Sequence, residues 1–200
     1  MSKNEKISWK KFILEALLII LSVLFALFIN EWKSDQNKQT ETSKMMDNII
    51  TEVSHNRLLI KSLIGYHESV LNKIQETALN DSLETTFFKN GYFEINSVAE
   101  KGVIQTDFQS IAWNIAKEEK ITNRISFEES QILFSTYEQQ SRVMKTIERI
   151  IDILSSREIH RKELIEESVI VLALEWNEMI SQERELSFEY DQTLKKLQSR

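Results

Sequence analysis

The strongest pattern in the chain is an uninterrupted apolar run near its start, from Phe12 to Ile29. These 18 residues contain one charged side chain, Glu15. As a helix they would extend over about 27 Å, close to the thickness of a bilayer's hydrocarbon core. Trp9 and Trp32 bracket the run at positions where aromatic side chains anchor a span at the membrane interface. The pattern predicts a transmembrane helix.

Two other structures can produce an apolar run near an amino terminus. A cleaved signal peptide has an apolar core of only about 7–15 residues and a small-x-small cleavage site, whereas this run ends in the letters FALFINEWK. A core helix of a soluble protein has a polar face, whereas Ser22 is the one polar residue between Ala16 and Ile29. We therefore favour an uncleaved anchor at residues 12–29.

The charges that flank the run predict its orientation. Cytoplasmic flanks of membrane spans carry an excess of lysine and arginine. Residues 1–11 are therefore expected in the cytoplasm, and the rest of the chain on the other side of the membrane. The lysines before the run are Lys3, Lys6, Lys10 and Lys11, and those within 15 residues after it are Lys33, Lys38 and Lys44.

A polar stretch at residues 30–45 follows the predicted span. Residues 33–44 contain no apolar side chain, and they also lack proline and glycine. A solvated helical stalk and a flexible linker both fit such a composition, and the absence of helix breakers favours the stalk.

From residue 46 to residue 200, apolar residues recur every three or four positions, as on the buried face of a helix. The first series ends before Asn80-Asp81-Ser82, and residues 83–103 are irregular, with short helical pieces and loops expected there. The predicted buried positions are Met46, Ile49, Val53, Asn56, Ile60, Leu63, His67, Val70 and Ile74 in the first series, Leu133, Tyr137, Gln140, Met144, Ile147, Ile151 and Leu154 in the second, and Ile165, Val169, Leu172, Trp176, Met179, Glu183, Leu186, Tyr190, Thr193 and Leu197 in the third.

Three capping boxes place the helix starts. Thr106 with Gln109 predicts a short helix from Asp107 to about Glu119. The pairs Ser126 with Glu129 and Ser155 with Glu158 predict the starts of two longer helices. The expected fold is therefore all-α, with the transmembrane helix followed by an antiparallel bundle of three long helices and one short helix.

Composition supports this class and excludes several functions. The chain has no proline, no cysteine and three glycines, so long helices are expected and thiolate metal sites and disulfides are not. The net charge is -6, and the first 29 residues carry four lysines and two glutamates, or +2, which leaves -8 for the remainder. An acidic domain of this kind argues against nucleic acid as a partner.

One spacing resembles a metal site. Glu52-x-x-His55 puts two possible ligands on one helical face, but di-metal bundles use two such motifs and two further glutamates. We therefore interpret both residues as part of a solvated face. No phosphate loop, catalytic triad or pair of inward carboxylates is evident, so no metal, cofactor or enzymatic activity is expected.

Polar residues interrupt the buried series at several positions. His67 is expected to be buried and to contact the helix of Tyr137 and Gln140, or that of Trp113. A structural hydrogen bond, register setting and a small polar pocket remain open, and a buried histidine can also act as a protonation switch. Trp113 and Trp176 are expected in the core, and the aromatics at 87–93 are interpreted as a packed lid rather than a ligand cage. The candidate inner cluster comprises Asn56, His67, Trp113, Tyr137, Gln140 and Glu183.

Several short elements follow one another along the chain: Glu15, Asn30-Glu31-Trp32, Glu52, Asn56-Arg57, Tyr66-His67, Ala112-Trp113, Phe127-Glu128 and Tyr137-Glu138-Gln139-Gln140. In this order they resemble a family of uncharacterised single-pass membrane proteins, common in Bacteroidota and also found in Proteobacteria. The chain lacks a glycine that such proteins often carry between the Ala-Trp and Phe-Glu elements, and has Lys120 and Asn123 in that region. The resemblance implies a membrane-anchored helical domain and no assigned activity. With the predicted span and orientation, the anchor is expected in the bacterial inner membrane.

Two functions fit these features. The first is an extracytoplasmic, in such bacteria periplasmic, sensory or adaptor module that binds a partner protein or a small ligand. The second is a structural component of an envelope complex that self-associates through its helices. Either would contact the lipid bilayer through residues 12–29.

Overall fold

The computed structural model describes residues 9–89, 91–103 and 108–199. Most of these residues are helical, which confirms the predicted all-α class. Short 3₁₀ turns lie at Ile95–Ser97, Ile121–Asn123 and Lys162–Leu164. The described α-helices are α1 (Trp9–Leu79), α2 (Leu83–Phe87), α3 (Ile111–Glu118), α4 (Phe127–Ser155) and α5 (Ile165–Gln198).

The chain divides into two compact units, residues 1–46 and residues 47–200. In the first unit, every large apolar side chain between Phe12 and Ile29 is exposed. An 18-residue window of this helix has a mean hydropathy of 2.9, and none of it is buried. The helix is therefore long and apolar enough to cross a membrane. Residues 33–44 are helical as well.

The second unit buries the apolar faces of its long helices. All nine predicted positions of α1 from Met46 to Ile74 are at most 5 % exposed. All ten predicted positions of α5 are also buried. The helical period of apolar residues therefore identified the inner face of both helices correctly.

In α4 the buried face differs from the predicted one towards the end of the helix. Leu133, Tyr137 and Gln140 are buried as predicted. Further along, Val143 and Ile150 are fully buried, whereas the predicted Met144 and Ile151 are only half-buried. Thr136, Val143 and Ile150, spaced seven residues apart, are each 0 % exposed, so the inner face of α4 is centred on this row rather than on the predicted one.

The three predicted capping boxes have different outcomes. The box at Ser126 and Glu129 is confirmed, because the Ser126 hydroxyl accepts from Glu129 N and the Glu129 carboxylate accepts from Ser126 N. The box at Ser155 and Glu158 is wrong: the apolar series of α4 carries that helix through Ser155, and α5 begins only at Ile165. Thr106 and Asp107 lie outside the described residues, and α3 begins at Ile111 rather than at Asp107.

The irregular stretch after α1 contains a small element that was not predicted. Phe88–Lys89 (β1) and Tyr92–Phe93 (β2) form an antiparallel pair, and Gly91 between them has a φ of +83°, which favours glycine. The rings of Phe87 and Phe93 are buried and stack at 5.0 Å. These two aromatics are packed, as the lid interpretation expected, while Tyr92 is exposed.

Candidate functional site

The six residues of the predicted inner cluster are all buried, but they form two groups rather than one. The first group comprises Asn56, Gln140 and Tyr137 together with Glu52 and Tyr190: Tyr137 binds Glu52, while Asn56 and Tyr190 both bind Gln140. Trp113 packs against this first group, and His67 with Glu183 forms the second. The exposed fractions are 0 % for Asn56, 0 % for His67, 3 % for Trp113, 7 % for Tyr137, 6 % for Gln140 and 0 % for Glu183.

Glu52 is the N-terminal cap of α3, although it belongs to α1. Its carboxylate accepts from Ala112 N at 2.8 Å and from Trp113 N at 3.3 Å, and no side chain of α3 caps that end. The hydroxyl of Tyr137 donates to the same carboxylate at 2.5 Å. A carboxylate is favourable there because the first N–H groups of a helix lack partners and carry partial positive charge.

The interpretation of Glu52 and His55 as a solvated pair is therefore half wrong. Glu52 is 5 % exposed, whereas His55 is exposed. Among the described residues, no group of three or more acidic or histidine side chains is placed to hold a metal ion.

Asn56 binds both a stretch of backbone and a side chain of α4. Its amide donates to Gln109 O at 2.7 Å and accepts from Gln109 N at 2.9 Å. The same nitrogen donates to the amide oxygen of Gln140 at 3.1 Å, and Gln140 donates to Gln109 O at 3.2 Å. These bonds explain why α3 starts late: the backbone at 109 pairs with α1 instead of entering the helix.

Two tyrosines complete the first group. Burial raises the pKa of Tyr137, and the hydrogen bond to the Glu52 carboxylate raises it further. Burial likewise raises the pKa of Tyr190, whose hydroxyl donates to Gln140 at 2.6 Å. Both phenols therefore remain protonated donors across the physiological pH range.

His67 binds different partners from those predicted. Its Nδ1 lies 2.8 and 3.0 Å from the two carboxylate oxygens of Glu183, and its Nε2 lies 3.2 Å from Val103 O. Trp176 donates from its indole nitrogen to His67 O at 3.1 Å. The hydrogen-bond partners of His67 are therefore Glu183 of α5 and a backbone carbonyl, instead of a side chain on the helix of Tyr137 and Gln140 or on that of Trp113.

Tyr66, next to His67, binds the same stretch of backbone. Its hydroxyl donates to Gly102 O at 3.0 Å and accepts from Lys101 N at 3.1 Å. Four side chains of α1 thus hold what we call the connecting segment, residues 101–103 and 108–113. The four are Glu52, Asn56, Tyr66 and His67.

Sequence reasoning did not place Glu52, Tyr66 or Tyr190 in the hydrogen-bonded cluster. Glu52 and Tyr66 were present among the elements that carry the family resemblance, so a signal for them existed. Tyr190 occupied a predicted buried position of α5. Neither signal identified a hydrogen-bond partner. Glu52 and Tyr66 bind backbone groups of a segment whose path the sequence does not specify, and Tyr190 binds Gln140 of another helix.

An open groove of about 700 Å³, which we call the aromatic groove, lies beside the first group. Its floor is the ring pair of Trp113 and Tyr137, stacked at 5.2 Å, with Phe134 edge-on to Trp113 at 4.8 Å. Lys117 Nζ lies 5.6 Å from the centre of the Trp113 ring, and Glu138 stands on the opposite helix. His67 does not line this groove.

The buried polar groups beside the groove already have partners within the protein. The buried carboxylate of Glu52 and the amides of Asn56 and Gln140 are each occupied by protein donors and acceptors. The groove offers aromatic faces with one cation and one carboxylate at its rim. No family model, curated protein or solved structure showed a significant match to the chain.

Proposed function

We propose that the chain is a membrane-anchored sensory or adaptor module whose helical domain binds a partner protein or a small ligand outside the cytoplasm. The aromatic groove is the observation that carries this proposal. Its floor of Trp113 and Tyr137 is held rigidly by the hydrogen bonds of Glu52, so a planar or apolar ligand would meet a preformed surface.

The helical domain is, in this proposal, an antiparallel bundle of α4, α5 and the second half of α1. The order of the cross-helix bonds supports it. Glu52 and Asn56 of α1 meet Tyr137 and Gln140 of α4 in the same order. Arg57 and His67 of α1 meet α5 in reverse order, at Asp191 and Glu183.

The first unit would be the membrane anchor, spanning the bilayer at residues 12–29. Large apolar side chains on all sides of this helix are exposed, which water disfavours and lipid does not. The family resemblance to bacterial single-pass proteins and the lysines before the span support an inner-membrane location with residues 1–11 in the cytoplasm. The bundle would then lie in the periplasm.

A fusion of alkaline phosphatase after Arg200 tests the orientation. The enzyme folds into an active form only outside the cytoplasm, so we expect phosphatase activity in intact cells. A stably expressed but inactive fusion would reverse the topology.

Affinity capture of the full-length chain from detergent-solubilised membranes, followed by native mass spectrometry, tests the binding function. We expect a protein or small molecule to co-purify in stoichiometric amount. A groove-bound ligand should be lost from the variant Lys117→Glu and retained by Lys145→Glu, which alters an exposed lysine outside the groove. A chain that purifies alone from its native membranes would contradict the proposal.

A structural role in an envelope complex, through self-association, is the second candidate. The exposed aliphatic side chains of Ile170, Val171 and Leu174 on α5 favour it, because such a stripe often marks a contact surface. A stable dimer of the wild-type chain in detergent would support this function over the first.

A further inference from the structure

A second hollow, of about 490 Å³, lies between the end of α4 and the start of α5. We call it the acidic hollow and define it by Asp152, Ile153, Glu158, Leu164, Glu167 and Val171. The hydrocarbon surface inside it comes from Ile153, Leu164 and Val171, with the buried Ile159 beneath them. It is separate from the aromatic groove, with which it shares no residue.

An exposed apolar ridge continues from this hollow along α5. Ile170 and Leu174 are 60 % and 65 % exposed and lie one turn apart, on the same side of the helix. Val171, which lines the hollow, lies one turn from Leu174 and is 48 % exposed. The hollow and the ridge together form a continuous aliphatic surface that the monomer leaves uncovered.

All ionisable side chains that line the hollow are acidic: Asp152, Glu158 and Glu167. All three are exposed, and none forms an ion pair with a residue in the described part of the chain.

The nearby cations are engaged elsewhere or lie outside the hollow. Arg149 pairs with Glu175, and Lys162 pairs with Glu84. Arg157, on the segment that joins α4 to α5, does not line the hollow. The three carboxylates therefore surround the aliphatic surface with negative charge that these cations do not neutralise.

We propose that the acidic hollow docks a basic amphipathic helix of another protein. One apolar side chain of that helix would enter the hollow, its neighbours would cover Ile170 and Leu174, and its lysines or arginines would face the three carboxylates. A second copy of this face is a poor occupant, since it would bring six carboxylates together. This inference rests on the proposed function, for which it names the protein-docking surface and the class of partner.

Fluorescence anisotropy with full-length chain in nanodiscs of zwitterionic lipid tests the inference. The probe is a labelled amphipathic helical peptide with leucines at helical spacing and flanking lysines, and its counterpart carries glutamates at the lysine positions. We expect the lysine peptide to bind saturably beyond the signal of empty nanodiscs, and the glutamate peptide not to bind. Wild-type chain that binds neither peptide, or both equally well, would overturn the inference.

Matched variants separate this surface from general charge attraction. The triple variant Asp152→Asn/Glu158→Gln/Glu167→Gln should weaken lysine-peptide binding by about tenfold or more, and Leu174→Ser should weaken it as well. The triple variant Glu118→Gln/Glu119→Gln/Glu185→Gln removes the same charge elsewhere and should bind like wild type. Circular dichroism melts confirm that each variant is folded. Equal affinities for the two triple variants would contradict the proposal.

The same variants distinguish failure of this inference from failure of the proposed function. A protein that co-purifies with wild type and is retained by the hollow variant would uphold the proposed function and exclude this docking surface. If wild type is a dimer in sedimentation velocity and Leu174→Ser makes it monomeric, the face is a self-association surface and the inference is wrong.

Discussion

At Glu52, a carboxylate of α1 supplies the N-cap that α3 lacks. Ser110 occupies the N-cap position but makes no side-chain cap bond, whereas Glu52 accepts from the second and third N–H groups of the helix. Three donors converge on this carboxylate, counting the Tyr137 hydroxyl. An amide in its place would turn an N–H towards at least one of these donors, whichever way it is oriented.

The variant Glu52→Gln should therefore lose roughly 1–3 kcal/mol of folding free energy, the usual cost of leaving a buried donor without a partner. Chemical denaturation in detergent measures the loss, and hydrogen exchange should quicken at the Ala112 and Trp113 amides. The control His55→Gln changes an exposed residue on the same helix and should stay within about 0.5 kcal/mol of wild type. Equal stabilities of the two variants would show that the Glu52 bonds do not stabilise α3.

Glu189 presents the opposite case, a carboxylate with too few partners. Burial raises its pKa, assisted by the charges of Glu185 and Glu138 and opposed by the Ser135 hydrogen bond. Its Oε2 is buried and has no hydrogen-bond partner in the described structure. A raised folded-state pKa means that stability is fully present below the unfolded pKa and is lost as pH rises through the folded pKa.

We therefore expect Glu189→Gln to have a higher Tm than wild type at neutral pH. The advantage should shrink as pH falls to about 4, where the unfolded carboxyl group also becomes protonated. Glu148→Gln, at an exposed position of α4, should show no comparable gain. A Tm difference for Glu189→Gln that does not change with pH would contradict this interpretation.

At the scale of helices, apolar periodicity predicted the buried faces of α1 and α5 at every position proposed. The start of α3 escaped prediction because it depends on the path of the connecting segment. The pairing of His67 with Glu183 escaped it because helical periodicity does not show which buried faces meet. Asn56 binds the backbone at Gln109, and His67 binds Val103 O. A side chain that binds backbone leaves no complementary residue elsewhere in the sequence to reveal it.

The burial of Glu52 also escaped prediction. Glu52 neighbours Val53 and lies one turn from Ile49, at the border of the buried face, where a carboxylate is ordinarily solvated. Only the approach of α3 and α4 to this border makes it buried. The groove and the hollow were not predicted either, since both form between elements whose packing follows from the whole fold.

The bond between His67 and Glu183 joins α1 to α5 in the interior, where a single unpaired partner is costly. His67→Leu should lower the folding free energy by roughly 3–5 kcal/mol, because it leaves the Glu183 carboxylate buried without its partner. His67→Gln keeps a donor and should cost less. The double variant His67→Leu/Glu183→Leu should recover much of the loss, since apolar pairs often replace buried ion pairs without penalty.

Thermal or chemical unfolding of the single and double variants in detergent measures the interaction energy between His67 and Glu183. A double variant whose loss equals the sum of the single losses would mean that the two side chains act independently. That result would exclude the pair as a link between α1 and α5.

At the scale of the whole molecule, the two units differ in which residues they bury. The second unit encloses the apolar faces of its helices, while the first exposes its apolar side chains from Phe12 to Ile29. Exposed apolar surface of this extent is typical of membrane or protein contacts, and the proposed anchor would place it in a bilayer. The hydrocarbon core of a bilayer is about as thick as an 18-residue helix is long.

The central claim is that residues 12–29 anchor the chain in a membrane. Alkaline carbonate extraction of membranes, combined with intact-mass measurement, tests this claim most directly. We expect the chain to remain in the membrane pellet and its mass to include residues 1–29. Replacing Leu21 and Leu24 with arginine should shift the chain towards the soluble fraction, because charged side chains near the middle of a span oppose insertion. A wild-type chain released by carbonate, or a mature chain that begins after residue 25, would contradict a membrane-anchored module.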